Sequence, residues 1–505
     1  MTARALRWIL AAGVCLAPLA AAAQETVESA APLAAQAATG EDIVDTLREA
    51  LAMAYRTNPQ LLAARANQRA TDENVPINRA DALPSLNATG NASQSIYESA
   101  DTGNPVRSAT AALSLGVPLY AGGGVKNGIR AAETRVLAGR ADLRGAESQV
   151  FSQTVAAYME VIYQEALVGL AASNVQVLEV NLQATSDRFE IGDLTRTDVA
   201  QSEARLALAR GELRTTQANL VRARENYIVT VGGAPGSLQP PPPLPGLPDD
   251  PDTAVDVAMQ DNPDLLGAHE RARAAGYDIR VARANRLPRV DATAGADYQT
   301  FLGSLPGGTG GVLANDSHGA TAGLRATVPI FQGGRAGALI RQSQARQSIA
   351  LENAIATERD VIATTRASYS SWRAANEIIV STQAAVAAAE LSLEGVRAEQ
   401  TVGNRTILDF LDAQQELLRA QVQLVTARRN AYIAGFTLLA AKGHAEARDL
   451  GLEEFGPLYD PTANYDRVSG NIWDWSNDPN PTTESTRTVD IPAQDANIRD
   501  VQTVE

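Results

Sequence analysis

Residues 117–130 read VPLYAGGGVKNGIR, and residues 328–341 read VPIFQGGRAGALIR. Before each copy, apolar residues alternate with small or polar ones, a period of two that is typical of a β-strand. After the strand the chain contains no proline over a long segment, 119–234 in the first case and 330–456 in the second. Because proline interrupts helices, such segments favour long, continuous helices. We therefore interpret the repeated phrase as two junctions at which a strand becomes a helix.

Other short motifs recur at a steady separation. Asn58-Pro59 returns as Asn262-Pro263, and Leu83-Pro84 returns as Leu287-Pro288, in both cases 204 positions later. At the two junctions and beyond them the separation is 211 positions, so the second copy contains seven additional residues. We place this insertion in the glycine-rich segment 304–311, since loops of this kind tolerate added residues. The chain is therefore predicted to be a tandem duplication.

The duplication divides the chain into six predicted regions. Arg4, Arg7, an apolar run and small residues up to Ala23 indicate a secretory signal. The linker between the repeats is rich in proline and is expected to be extended. The last region is acidic and weakly hydrophobic, so it is expected to be disordered, with Trp473 and Trp475 making a local docking contact. The regions are a signal peptide (1–23), a flexible N-terminal segment (24–42), a first repeat (43–234), a linker (235–251), a second repeat (252–456) and an acidic tail (457–505).

Composition excludes several classes of partner and site. The formal net charge of −15 at pH 7 argues against a nucleic-acid partner, which favours a basic surface. The only cysteine, Cys15, lies in the predicted signal peptide, so the rest of the chain has no disulfide and no thiolate metal site. No later segment has eighteen consecutive apolar residues, so a membrane span would have to consist of strands.

Each repeat is predicted to contain the same elements. Two short helices, separated at the Asn-Pro motif, precede the Leu-Pro motif and two strands. Residues 125–191 are rich in good helix formers and predict one helix of about 100 Å at ~1.5 Å per residue. Gly192 ends this helix and a return helix follows to Gly232, while Gly403 marks the same turn in the second repeat. The predicted strands are 86–96, 107–120, 290–298 and 322–330.

The second return helix has apolar residues at a spacing of seven. A seven-residue repeat indicates a left-handed coiled coil. One column is Phe410, Leu417, Leu424, Ala431 and Leu438, and the other is Leu411, Leu418, Val425, Tyr432 and Leu439.

The strand count limits how the chain assembles. Four strands are too few to close a barrel, and an open sheet edge is not tolerated in lipid. If the strands lie in a membrane, several chains must contribute to one barrel. The count alone permits two, three or four chains.

These residues resemble the TolC-type outer-membrane efflux protein family. The resemblance extends from about residue 43 to residue 456 and rests on the duplicated Asn-Pro-x-Leu and Leu-Pro motifs, the VPxxxGG junctions and, most specifically, VGNRTILDFLDAQ at 402–414. It implies an α+β membrane protein with long coiled-coil helices and four strands per chain. Three chains would form a twelve-stranded outer-membrane β-barrel and a periplasmic α-helical barrel.

The resemblance also implies a location and partners. The chain would be a homotrimer in the outer membrane of a Gram-negative bacterium, in contact with outer-membrane lipid and extending into the periplasm. Its partners would be a periplasmic membrane-fusion adaptor and an inner-membrane pump of RND or ABC type. The implied function is the exit duct of a tripartite efflux pump or of a type I secretion system, and both drugs and secreted proteins stay open as cargo.

The junctions and turns are the first candidate functional residues. Glycine at a strand–helix junction lets the backbone bend and removes side chains from a crowded place. The predicted junction residues are Pro118, Gly122, Gly123, Pro329, Gly333 and Gly334, and the predicted turns at the tunnel tip are Gly192 and Gly403.

A second candidate site is a periplasmic gate. Asp409 and Asp412 are three positions apart, so they share one helix face, opposite the apolar columns. Spacing alone fits a solvated acidic face equally well. The resemblance instead implies that three chains gather these carboxylates into a narrow ring that attracts cations. It further implies a link from Arg405 to Thr197 and Asp198 that holds neighbouring coiled coils together and keeps the entrance shut.

One residue of the implied link departs from the family pattern. Gln400 stands where the best-known members have a tyrosine. A glutamine side chain can form hydrogen bonds but reaches less far, so the closed state is expected to be held less firmly.

Two other functional classes fit the sequence less well. An enzyme such as a periplasmic hydrolase would need a catalytic motif, and the sequence has no HExxH, GxSxG or P-loop pattern; its three histidines are His269, His318 and His444. We therefore predict no enzymatic activity, cofactor or metal. A non-transporting coiled-coil protein of the cell envelope is the alternative, but it would leave the four strands and their junctions without a purpose.

Overall fold

The protein is described by a computed structural model over residues 45–96, 107–303 and 315–498. The predicted signal peptide, N-terminal segment and glycine-rich insertion lie outside these ranges. The first repeat contains α1 (Leu47–Thr57), α2 (Pro59–Asp72), α3 (Asn74–Ala80), β1 (Ser85–Gln94), β2 (Arg107–Ala121), α4 (Gly124–Glu190) and α5 (Arg196–Val231). The second contains α6 (Pro251–Asp261), α7 (Pro263–Ala284), β3 (Arg289–Thr300), β4 (Asp316–Thr327), α8 (Arg335–Thr401) and α9 (Ile407–Ala441). A short 3-10 helix (Leu452–Phe455) and α10 (Ala463–Val468) follow.

The order of elements repeats, and several boundaries differ from the predicted ones; β4, for example, begins at Asp316 and not at residue 322. The second short helix of the first repeat is broken at Glu73 into α2 and α3, whereas α7 is one helix of 22 residues. Pro76 lies in the first turn of α3, where its missing N–H breaks no helical hydrogen bond. Strand β4 ends at Thr327 and not at residue 330, because Pro329 cannot donate a hydrogen bond to the sheet.

The two long helices and their return helices form the predicted hairpins. Both α4 and α8 have 67 residues, which corresponds to about 100 Å. Gly192 and Gly403 follow them with φ angles of 81° and 82°, a left-handed conformation that favours glycine. In α9 the two apolar columns are buried or half-buried, so they face the packed interface as the seven-residue spacing predicted.

The largest hydrophobic cluster joins the two repeats. Phe151, Tyr158 and Tyr227 of the first repeat are fully buried in it, together with Phe436 of α9. The linker is fastened to the same cluster, because the Tyr158 hydroxyl donates to the carbonyl of Gln239 at 2.6 Å. One core therefore holds both repeats at the level of α1.

The duplicated Asn-Pro motif has the same geometry in both repeats. The Asn58 Oδ1 accepts from the N–H of Gln60 at 2.9 Å and caps α2, while its Nδ2 donates to the carbonyl of Thr230 at 2.9 Å. Asn262 caps α7 and donates to the carbonyl of Ala441 at 3.0 Å. Each asparagine thus starts one helix and satisfies a carbonyl near the end of a return helix.

The strand–helix junctions contain paired left-handed glycines. Gly122 and Gly123 have φ angles of 60° and 77°, and Gly333 and Gly334 have φ angles of 57° and 81°. A Cβ at Gly122 would lie only 2.7 Å from the Cβ of Leu287. The first junction therefore requires glycine both for its backbone conformation and for the close approach of the loop after α7.

The C-terminal segment corrects the predicted disordered tail. Residues 457–498 pack against the helices. Tyr459 contacts the largest hydrophobic cluster, the main cluster of the fold, and α10 lies against the first repeat. Near the end of the segment, the Asp495 carboxylate pairs with buried Arg224 at 2.9 Å. Composition failed here because a few long-range contacts, not the average hydrophobicity, fix the segment. Residues 499–505 lie outside the described ranges.

Helix α4 is the one helix in the described ranges that is long and apolar enough to cross a bilayer by length and composition alone. Of its most apolar 18-residue window, 44% is buried inside the protein, and Val155 and Tyr158 of α4 belong to the main cluster. A core helix of a protein meets the same criterion, so length and composition alone do not make α4 a membrane span.

Candidate functional site

The four strands form one antiparallel sheet with two chemically different faces. Their order is β1-β2-β3-β4, and side chains alternate between the faces. One row of paired residues consists of Leu86, Leu115, Ala294 and Ala322. The neighbouring row, on the opposite face, consists of Asn87, Ser114, Gly295 and Thr321. The register therefore collects apolar residues on one face and small or polar residues on the other.

Both edges of this sheet are open within the described chain. Strand β1 pairs only with β2, and β4 pairs only with β3. The outer edges of β1 and β4 therefore present backbone N–H and C=O groups that can pair with strands of another chain. In addition, Leu113 and Leu324 of the apolar face are 49% and 74% exposed, so this face is not covered by the helices.

The junction residues stand where the sheet passes into the helices. Pro118 lies in β2 immediately before an irregularity in the pairing with β3, between Pro118 and Tyr120, and such irregularities bend a strand. Gly122 and Gly123 follow directly and precede α4. Pro329 lies outside β4. In the second repeat the sheet therefore ends several residues before the paired glycines, whereas in the first repeat β2 ends directly before them.

At the other end of the long helices, the two hairpin tips are built alike. After the first turn, Thr195 and Asp198 cap α5: the Thr195 N–H donates to the Asp198 carboxylate at 2.9 Å, and the Asp198 N–H donates to the Thr195 hydroxyl at 3.3 Å. After the second turn, Thr406 and Asp409 cap α9 with the same two distances. This reciprocal arrangement is a capping box.

The capping boxes assign a structural role to two predicted gate residues. The Thr406 hydroxyl donates to Asp409 at 2.8 Å, and this bond, together with that from the Thr406 N–H, holds the pKa of the Asp409 carboxyl below its ordinary value. The Thr195 hydroxyl lowers the pKa of Asp198 in the same way. Both carboxylates are therefore charged at neutral pH. Sequence reasoning overlooked the Thr-x-x-Asp spacing that indicates both caps.

Asp412, the other predicted ring residue, is paired across the repeats. Its carboxylate accepts from Arg205 of α5 at 2.9 Å, and its side chain remains 60% exposed. Sequence reasoning did not identify Arg205, since the pairing depends on how α5 packs beside α9. This arginine neutralises part of the acidic charge at the tip.

The structure does not bring Arg405 to Thr197 or Asp198 within one chain. The Arg405 guanidinium instead binds Glu399 at the end of α8 at 2.8 Å, and Thr197 is exposed on the first turn of α5. Gln400, beside Glu399, lines a groove of about 780 Å³ between the two long helices. Within the described residues of one chain, Arg405 is therefore held at the end of α8 and the predicted link to the first repeat is not formed.

The described residues contain no group of three or more His, Asp or Glu side chains able to hold a metal ion. His444 lies beside Asp261, with its Nε2 3.0 Å from the carboxylate, at the contact between the ends of α6 and α9. This pair joins the end of α6 to the segment that follows α9.

Comparison with known proteins agrees with this geometry. The sequence matches the family described as outer membrane efflux protein over residues 47–233 and 254–444. It is 32% identical to the outer membrane efflux protein BepC of Brucella suis, covering 88% of this chain and 96% of that protein. It is 29% identical to the outer membrane protein TolC of Escherichia coli, covering 59% of this chain and 62% of TolC. Among solved structures, the outer membrane protein VceC of Vibrio cholerae has the same fold, with a TM-score of 0.68 at 23% identity over 79% of this chain and 96% of VceC.

Proposed function

The chain belongs to the outer membrane efflux protein family and is an outer-membrane exit duct of a tripartite efflux pump or a type I secretion system, and we propose that three identical chains build this duct. The observation that carries the proposal is the four-stranded sheet. It has one apolar face, one polar face and two open edges.

Closing these edges in a membrane sets the number of chains. Every backbone N–H and C=O within lipid needs a partner, so the outer edges of β1 and β4 must pair with strands of neighbouring chains. Three copies supply twelve strands, an even number within the range of outer-membrane barrels. The apolar rows then face lipid, and the polar rows line the lumen. The helical hairpins of the three chains continue this lumen as a tunnel in the periplasm.

Reconstitution of the purified chain tests the proposal. We expect native mass spectrometry in detergent to give three chains per particle, and planar bilayers to show discrete ion-conducting steps. A particle of two or four chains would contradict the trimer while leaving a channel possible. A stable, folded monomer in the membrane without conductance would instead support a non-transporting coiled-coil protein.

The length of the helices supports the proposed partners. At about 100 Å each, α4 and α8 carry the hairpin tips far from the sheet. A passive duct needs an energy source, which the inner membrane can provide. We therefore propose that the tips meet a periplasmic membrane-fusion adaptor, which couples the duct to an inner-membrane pump of RND or ABC type.

The hairpin tips are also the proposed gate. Three copies would bring Asp409 and Asp412 around one axis, and Arg205 would neutralise part of this charge. We propose that Arg405 exchanges its Glu399 partner for Thr197 and Asp198 of an adjacent chain when the entrance is closed.

The proposed duct requires no catalysis. Members of the family are channel proteins, and the acidic residues of the tip are occupied in helix capping and in ion pairs. We propose that the chain has no enzymatic activity and binds no cofactor.

A further inference from the structure

Two tryptophans of the C-terminal segment are exposed, contrary to the docking contact expected for them. Trp473 and Trp475 are 69% and 81% exposed, and neighbouring Ile472 is 70% exposed. Large apolar side chains exposed together mark an interaction surface. The duct and its gate do not use them.

These residues form the tip of a loop, residues 469–477, whose base is fixed by an ion pair. We name it the tryptophan loop. At its base, the Arg467 guanidinium donates to both carboxylate oxygens of Asp478, at 2.7 and 2.9 Å. Such a two-pronged pair fixes geometry as well as charge. Within the loop, the Trp473 N–H donates to the Asn471 side chain at 3.0 Å. The tryptophans are therefore presented by a defined backbone.

The tryptophan loop begins beside a strand–helix junction. Arg79, near the end of α3, donates to the carbonyl of Ser469. Its neighbour Asn78 faces α4, because a Cβ at Gly128 would lie 3.1 Å from the Asn78 Oδ1. Gly128 is at the start of the second turn of α4, about 6 Å beyond the start of the helix at ~1.5 Å per residue. The first residue of the loop is thus close to the level at which β2 enters α4.

The preceding helix points the loop toward the sheet. At the start of α10, the Asn464 amide donates to Asp72 at the end of α2 at 2.9 Å. Just after the end of α10, the carbonyl of Ser469 accepts from Arg79. Arg79 is seven positions closer to β1 in sequence than Asp72. Helix α10 therefore runs from the end of α2 past α3 in the direction of the strands, and the tryptophan loop continues beyond it.

We propose that the tryptophan loop inserts into the lipid headgroup region of the periplasmic leaflet of the outer membrane, one loop per chain. Tryptophan favours this region because its ring is apolar and its N–H needs a polar partner. Asp474, between the two tryptophans, keeps the loop out of the acyl chains, where a carboxylate is costly. The loop begins near the level at which β2 enters α4, so it starts close to the end of the sheet. This inference rests on the location of the sheet in the outer membrane.

Fluorescence of the reconstituted full chain tests the insertion. The sequence has four tryptophans, Trp8, Trp372, Trp473 and Trp475, so the emission lost in the Trp473→Phe/Trp475→Phe variant is that of the loop. Phosphatidylcholine vesicles are prepared with bromine, a short-range quencher, near either the carbonyl or the methyl end of the acyl chain. We expect the loop emission to be shifted to the blue relative to free indole. We also expect bromine near the carbonyl to remove most of it and bromine near the methyl end to remove little.

Two results would overturn the proposal. Equal or stronger quenching from the bilayer centre would place the indoles in the acyl chains. Absence of quenching from either position would leave the loop in water or covered by protein, for instance by another chain.

A labelled strand residue separates this inference from the proposed duct. Leu113→Cys, on the apolar face, can be labelled with a fluorophore in the mature chain, since Cys15 lies in the predicted signal peptide. If bromine quenches this label but not the loop emission, the sheet is inserted and the tryptophan-loop inference alone fails. If it quenches neither, membrane insertion of the sheet fails as well.

Discussion

At the residue scale, the side chain of Asn58 faces two backbones. It caps α2 through its oxygen and donates from its nitrogen to the carbonyl of Thr230, while being only 5% exposed. Loss of an N-cap costs about 1 kcal/mol, and loss of a buried hydrogen bond costs about 1 kcal/mol more. We therefore expect Asn58→Ala to lower the free energy of unfolding by about 2 kcal/mol, measured by urea unfolding followed by circular dichroism.

Two variants refine this prediction. Asn58→Ser keeps a capping oxygen but is too short to reach Thr230, so it should recover about half of the loss. Asn262→Ala, the equivalent change in the second repeat, should resemble Asn58→Ala because its hydrogen bonds have matching lengths. A negligible effect of both alanine variants would show that the motif only stops the preceding helix.

A second residue, Glu147, makes the free energy of unfolding depend on pH. Burial raises the pKa of this carboxyl to about 7, although the N–H of Ala447 donates to it and opposes the shift. Between the ordinary pKa near 4.5 and about 7, the unfolded chain releases this proton while the folded chain retains it. The associated stability is present below pH 4.5, decreases as pH rises, and is lost above pH 7, a change of roughly 3 kcal/mol.

We expect Glu147→Gln to remove this dependence. The variant should match the parent near pH 5 and be more stable than the parent at pH 8, as judged by urea unfolding at both values. The exposed Glu203→Gln change serves as the control and should leave the difference between the two pH values intact. If the parent and the Glu147→Gln variant respond equally to pH, the carboxyl is already ionised in the folded chain.

At the scale of elements, the long helices, the turns and most of the strand positions could be predicted because their signals are local. Absence of proline, the seven-residue spacing and the alternation in β2 each lie within one element. The partner of Asp412 could not be predicted, since Arg205 lies in the other repeat and the two meet only when the hairpins pack. The Thr406–Asp409 cap could have been predicted, since its Thr-x-x-Asp spacing lies within one turn of helix.

The C-terminal segment is a part of the fold that composition could not predict. Its composition indicated disorder, yet the fully buried Arg224 guanidinium binds Glu165 at 2.7 Å, the Asp495 carboxylate at 2.9 Å and the carbonyl of Asn497 at 2.8 Å. A buried arginine needs several acceptors, because an unsatisfied charge is costly away from water. The segment supplies acceptors that lie about 270 positions away in sequence, which no local pattern reveals.

We expect Arg224→Met to release this segment. Removing one partner of a buried ion pair costs about 3 kcal/mol. Local opening should therefore become roughly 100-fold more frequent, since each 1.4 kcal/mol is tenfold. Trypsin cleavage after the exposed Arg487 measures the opening. Arg222→Met, an exposed neighbour that bonds only to Asn219 among the described contacts, is the control, and equal cleavage rates for both variants would contradict the role of Arg224.

At the scale of the whole molecule, the proposed trimer would arrange single side chains of the three chains in rings. Within one chain Arg405 pairs with its own Glu399, whereas in the proposed closed state it would bind the first repeat of the adjacent chain. We expect Arg405→Ser to raise the single-channel conductance in planar bilayers. Arg214→Ser, an exposed change on α5 away from the tip, should not. Equal conductance of the parent and the Arg405→Ser variant would place the closing contact elsewhere.

The acidic ring makes a separate prediction about cation block. In the proposed trimer, Asp409 and Asp412 would contribute six carboxylates, which would attract divalent and larger cations into a narrow opening. We expect Asp409→Ala with Asp412→Ala to abolish block by multivalent cations while leaving the trimer yield unchanged. Because Asp409 also caps α9, the control is Thr406→Ala, which removes the capping hydroxyl but keeps both carboxylates. If block persists in the double variant, or disappears equally in the control, the carboxylates are only a solvated face and the cap governs the entrance.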